Sequence, residues 1–64
     1  MYSLELYKIG KFIREARKAK DMSIEELAKI INKSRTTTYK YERDEVIPDF
    51  ITVLEICNAL GIDI

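Results

Sequence analysis

The chain has no histidine, one cysteine, two glycines and one proline, and its 11 basic and 11 acidic residues cancel. Each scarcity excludes something. Without histidine there is no imidazole for a zinc site or for a Ser-His or Cys-His catalytic pair. A lone cysteine forms no internal disulfide, and Cys57 falls in an apolar helical pattern where a buried thiol is expected rather than a ligand or nucleophile. Two isolated glycines make no phosphate-cradling loop, and no nucleophile–base pair or metal cluster stands out, so enzyme activity, metal and cofactor are not expected. No apolar run approaches the ~20 residues of a membrane span, and no charged-then-apolar leader is visible. These exclusions point to a cytoplasmic protein without a membrane partner.

What is present reads as helix. Hydrophobic residues make up 47% and charged residues 34% of 64 residues, the balance of a soluble globular domain rather than a disordered tail. The length holds one domain, residues 1–64, and a marginal one, since chains this short bury only about 60% of their unfolded surface.

Ser23 to Arg43, SIEELAKIINKSRTTTYKYER, is the organising stretch. Ser23 with Glu26 three residues on is a capping box, each satisfying a backbone N–H of the first turn. Ile24, Leu27, Ala28 and Ile31 then form one apolar stripe of a short helix. Asn32-Lys33 interrupts it, and asparagine tolerates the left-handed conformation that ends helices. Ser34 caps a second helix, in which Thr38 and Tyr41 face inward while Arg35, Thr36, Tyr39 and Lys40 share the outer face. Small Ala28 allows a close crossing. Two short helices at a steep angle, the second polar and basic outside, describe a helix-turn-helix with core 23–43 that fits a major groove.

On either side the pattern continues. Ser3 is placed to cap a first helix, with Glu5 favourable near its positive end. Ile9, Phe12, Ile13, Ala16 and Ala19 make its inward stripe. Gly10 within it costs about 0.8–1 kcal/mol relative to alanine and permits close packing. Lys11, Arg14, Lys18 and Lys20 read as a solvated face. After Arg43 comes a short loop in which Val46 and Ile47 offer either a core contact or a partner surface. Pro48 ends the loop and Asp49 caps a last helix. Its inward face is Phe50, Val53, Leu54, Cys57 and Leu60, widened by Ile51 and Ile56. Gly61 suits a left-handed C-terminal cap, with Ile62 folding back onto Cys57.

The charges are segregated. Every base lies at or before Arg43, against six acids, while the stretch from Asp44 onward has five acids and no base. The halves carry +5 and −5, and the basic half contains the motif.

This set of features resembles the Cro/Xre family of DNA-binding domains, the lambda-repressor-like fold. The resemblance runs through IGKFIREARKAKDMS, IEELAKII, SRTTTYKYER and IPDFITVLEICNALGI, nearly the whole chain. Ser23, Glu26-Leu27-Ala28, Ser34-Arg35, Tyr41-Glu42-Arg43 and Pro48 are specific as a set. It implies an all-α bundle of four helices, or of five with the last cut short at Ile64, where relatives begin a fifth helix or another domain. The first, second and sixth residues after the recognition-helix cap face base edges in the family, here Arg35, Thr36 and Lys40. Tyr39 faces the same way, toward base, sugar or phosphate. Ser23, Ser34, Arg43 and Lys33 are placed for phosphates. Arg17 and Glu42 occupy positions of a partly buried ion pair in several relatives, and Arg17 also lies within reach of phosphate.

Some positions depart from the family. Asp21 stands for the usual glycine, Ile24 for a phosphate-contacting glutamine, and Glu45 and Ile47 for loop residues that are commonly basic. Lys33 and Thr38 replace apolar residues. The function implied is sequence-specific binding of double-stranded DNA as a transcriptional regulator, a repressor, working as a homodimer on a palindromic operator. The competing class is a protein-interaction module of antitoxin or anti-repressor type that keeps the fold and has lost DNA affinity. Zero net charge, Ile24, Glu45 and the Val46-Ile47 pair favour that class.

Overall fold

A computed structural model describes residues 9–62 of the chain. Four helices succeed one another: α1 (Gly10–Ala19), α2 (Ile24–Ile30), α3 (Arg35–Glu42) and α4 (Phe50–Leu60), with no strand among the described residues. The all-α expectation holds. No helix among the described residues is long and apolar enough to cross a membrane.

Local chemistry sets most of the helix ends. Ser23 Oγ accepts from the Glu26 N–H at 3.1 Å while Glu26 Oε1 takes the Ser23 N–H at 2.7 Å, completing the capping box. Ser34 and Asp49 do the same one-sided job for α3 and α4, accepting from the N–H groups of Thr37 and Thr52. The Thr52 hydrogen bonds hold the Asp49 carboxyl below its ordinary range. Gly61 adopts φ 69°, and the Ile62 N–H returns to the Cys57 carbonyl at 2.8 Å to close α4. Asp21 (φ 53°) and Asn32 (φ 58°) take the left-handed turns that glycine would otherwise supply.

The start of α1 is different. The expected Ser3 cap and Glu5 lie outside the described residues. Within them, Ile9 sits at the cap position with no side-chain hydrogen bond. The cap arrives from the far side of the motif, where Asp44 Oδ1 accepts the Gly10 N–H at 3.0 Å. Asp44 reaches it from a left-handed turn of its own, at φ 60°.

Ile13, Leu27, Ile31, Tyr41, Ile56 and Leu60 form the core, with Ile9, Ala16, Met22, Ala59 and Ile62 packed around them. Every helix contributes. α3 lies between α1 and α2, and its C-terminal turn rests on Gly10, where an added Cβ would run into the Tyr41 and Glu42 carbonyls. That glycine exchanges helix propensity for backbone contact.

Two helices turn differently from the sequence expectation. On α1 the buried line is Gly10, Ile13 and Arg17, while Phe12 is 57% exposed and Ala19 is also outside. Arg17 goes in because Glu42 meets it there. On α4 the buried line is Thr52, Ile56 and Leu60. Phe50 (72% exposed), Ile51 and Leu54 face out, and Val53 and Cys57 are half-buried. Apolar residues surround α4 on nearly all sides, so periodicity carries no phase. Packing sets it instead, with Ile56 and Leu60 in the core cluster. In the preceding loop both Val46 and Ile47 are exposed, so neither makes the core contact that was one reading.

Candidate nucleic-acid interface

The inner side of α3 fixes its outer side. Thr38 is 1% exposed and returns its hydroxyl to the Ser34 carbonyl at 2.9 Å, filling a valine-shaped site without an orphan donor. Tyr41 enters the core beside it. Glu42 is buried and grips Arg17 through two bonds, Oε2 to Nε at 2.6 Å and Oε1 to Nη2 at 3.0 Å, while Arg17 Nη1 donates to the Met22 carbonyl at 2.8 Å. The Glu42 hydrogen bonds hold the guanidinium pKa above its ordinary value against the opposing effect of burial. This fork ties the end of α3 to α1 and to the entry of α2. Arg17 spends donors from all three nitrogens inside and is 8% exposed. It therefore acts as a strut, and the fork leaves one N–H on each of Nη1 and Nη2 for the phosphate contact expected of it.

With Thr38, Tyr41 and Glu42 inside, Arg35, Thr36, Tyr39 and Lys40 stand on the opposite, solvent-facing side of α3. Two of them touch. The Arg35 guanidinium lies over the Tyr39 ring, 5.8 Å from its centroid, a cation–π contact. Arg35 Nη1 also meets Glu25 Oε2 of α2 at 3.2 Å. Arg43, at the exit of α3, is similarly held by Glu45 at 3.1 Å. Neither glutamate was singled out as a partner in the sequence, since spacing across a turn does not reveal which exposed carboxylate a long arginine will reach.

The residues expected at phosphates lie around this face. Ser34 is bound up in its helix, accepting from the Thr37 N–H and donating to Thr37 Oγ1 at 2.9 Å. Ser23 keeps its hydroxyl proton free of the capping box. Lys33 is exposed in the turn between α2 and α3. On the other flank, Arg14, Arg17 and Lys18 of α1 join Tyr39 and Glu42 of α3, and Arg43 at its exit, around one open cleft. Every buried side-chain nitrogen or oxygen among the described residues has a hydrogen-bond partner. The polar groups left with capacity to bind are on the surface.

A capped helix, a left-handed turn and a crossing helix with its polar face outward together make a helix-turn-helix, and a family model of that description matches residues 13–64. The chain belongs to this helix-turn-helix family. The family is of the Cro/C1 type and binds DNA, and the match takes in α2, α3 and α4 entire. No curated protein and no solved structure matches the chain. In this helix-turn-helix, α2 is the supporting helix and α3 the helix at the recognition position.

Proposed function

We propose that the chain binds double-stranded DNA sequence-specifically, with α3 in the major groove, as a transcriptional regulator that represses from the cytoplasm. In this reading residues 1–64 form one domain with its motif at 23–43. Arg35 and Lys40 donate to guanine O6 and N7, and Thr36 offers a hydroxyl or meets a thymine methyl. Tyr39 touches a base or the adjoining backbone. Ser23, Lys33, Ser34 and Arg43 hold phosphates, fixing register without reading sequence. The observation that carries the reading is the division of α3. Thr38, Tyr41 and Glu42 lock one side, and the opposite side presents a contiguous row of donors to solvent.

A domain this small meets few bases alone. A homodimer on a palindromic operator, with half-sites about 34–36 Å apart, supplies the rest. Random-site selection with the purified protein tests the reading: an enriched palindrome supports it, and the absence of any enriched sequence contradicts it. One observation favours a second reading. Ile47, Phe50, Ile51 and Leu54 are all exposed large apolar side chains in one short stretch, which suits a protein-interaction module of the same fold. Selection that yields no sequence favours that module.

A further inference from the structure

On sequence alone Arg14 and Lys18 belong to a solvated helix face, and the helix-turn-helix reading gives them no task. The fold brings them to the cleft between α1 and α3, whose lining holds four cations and one carboxylate. That carboxylate is already used, both Glu42 oxygens being bonded by Arg17. Setting this neutral pair aside leaves Arg14, Lys18 and Arg43 around the cleft, with the Tyr39 phenol beside them. Arg14 and Lys18 have no ion-pair partner among the described residues. Arg43 has Glu45, but both side chains stand largely in solvent, and so open a pair yields to a competing anion. Glu25, in the first turn of α2, is near enough to act on Arg17 but is itself paired with Arg35.

Two arginines and a lysine lining one opening carry donors of the kind that bind an oxyanion with several acceptor oxygens, as a phosphate group is. Tyr39 belongs both to this cleft and to the outward face of α3, so a duplex lying along α3 carries its backbone past the opening. We propose that the cleft is a phosphate site taking a backbone phosphate of DNA, with Arg14 and Lys18 as its contacts. The inference rests on the major-groove reading and adds the side of the motif on which the backbone is held.

The test compares the wild type with Arg14→Ala, Lys18→Ala and Lys20→Ala, measuring affinity against salt on a selected duplex and on an unrelated one. Lys20 is the charge-matched control, its side chain lying against Gly61 rather than in the cleft. Thermal melts of each variant verify the fold. Arg14→Ala and Lys18→Ala should each weaken both duplexes alike and flatten the log–log salt slope by about 0.9. Lys20→Ala should leave the slope as it is. If the wild type binds DNA and the cleft variants change the slope no more than Lys20→Ala, the cleft assignment is wrong while the groove reading stands. If the wild type binds no duplex at low salt, both fall together. Titration with inorganic phosphate, followed through the arginine side-chain NMR signals, separates the remaining source. Saturable shifts of Arg14 with no slope change on DNA would give the cleft to a small phosphate compound and overturn the backbone assignment.

Discussion

Arg35 shows how much one side chain depends on neighbours that are distant in sequence. Its guanidinium rests on Tyr39 and is held by Glu25, so in the free protein it is aimed as well as partly neutralised. The two effects pull in opposite directions on DNA. A fixed guanidinium discriminates better between bases, whereas a carboxylate beside it repels phosphates. Glu25→Gln should therefore tighten binding to unrelated duplexes by up to about fivefold, the range of an exposed pair worth ~0–1 kcal/mol. The same variant should blunt preference at the bases Arg35 reads. Competition binding with selected and scrambled duplexes measures both. Tighter binding with unchanged preference would mean that Glu25 acts through charge alone. Asp49 carries a second residue-level prediction. Its carboxyl titrates lower folded than unfolded, so the stability it gives is present above the ordinary value of 3.8 and is lost as pH falls through the lower folded value. Asp49→Asn should flatten the acid limb of a stability–pH curve, measured by urea unfolding at a series of acid pH values.

At the scale of elements, α3 is held by contacts of two kinds. One is steric. Gly10→Ala improves helix propensity by about 1 kcal/mol, yet its methyl would meet the Tyr41 and Glu42 carbonyls. Overpacking of this sort costs about 1–3 kcal/mol, so the net change should be destabilising, and a rise in the urea midpoint would refute the contact. The other is ionic. Glu42→Ala leaves Arg17 buried and unpaired, a change worth about 3–5 kcal/mol. A domain of this size has only about 3–10 kcal/mol to lose, so this variant should lose a large share of its stability, read as a marked fall in the urea midpoint followed by circular dichroism. What could be read in advance follows from the reach of each interaction. Ser23, Ser34, Asp49 and Gly61 end helices through neighbours a few residues away, and their roles were legible. So was the outward position of Arg35, Thr36, Tyr39 and Lys40, which one helical period dictates. Asp44 capping Gly10 and Glu25 meeting Arg35 join separate elements, and local pattern holds no trace of them. The rotation of α4 was illegible for another reason: Phe50, Ile51 and Leu54 are as apolar as the residues it buries, and only packing chooses among them.

For the molecule as a whole, zero net charge conceals a basic half and an acidic half. If three to five cations of the basic half meet phosphates, log affinity should fall with log salt at roughly −3 to −4.5 per subunit. Binding that ignores salt would remove DNA from the account. The central claim is narrower than binding: the outward residues of α3 read bases, and residues at its margins only hold the backbone. Base-preference matrices for the wild type, Arg35→Ala, Lys40→Ala and Arg43→Ala, all at one salt concentration, test it most directly. A good bidentate base contact discriminates by about 1–3 kcal/mol. Arg35→Ala and Lys40→Ala should each flatten preference at one or two positions per half-site with the fold intact. Arg43→Ala should weaken every sequence about equally. Uniform losses for Arg35→Ala and Lys40→Ala, with altered base preference for Arg43→Ala, would contradict the placement of α3 in the groove.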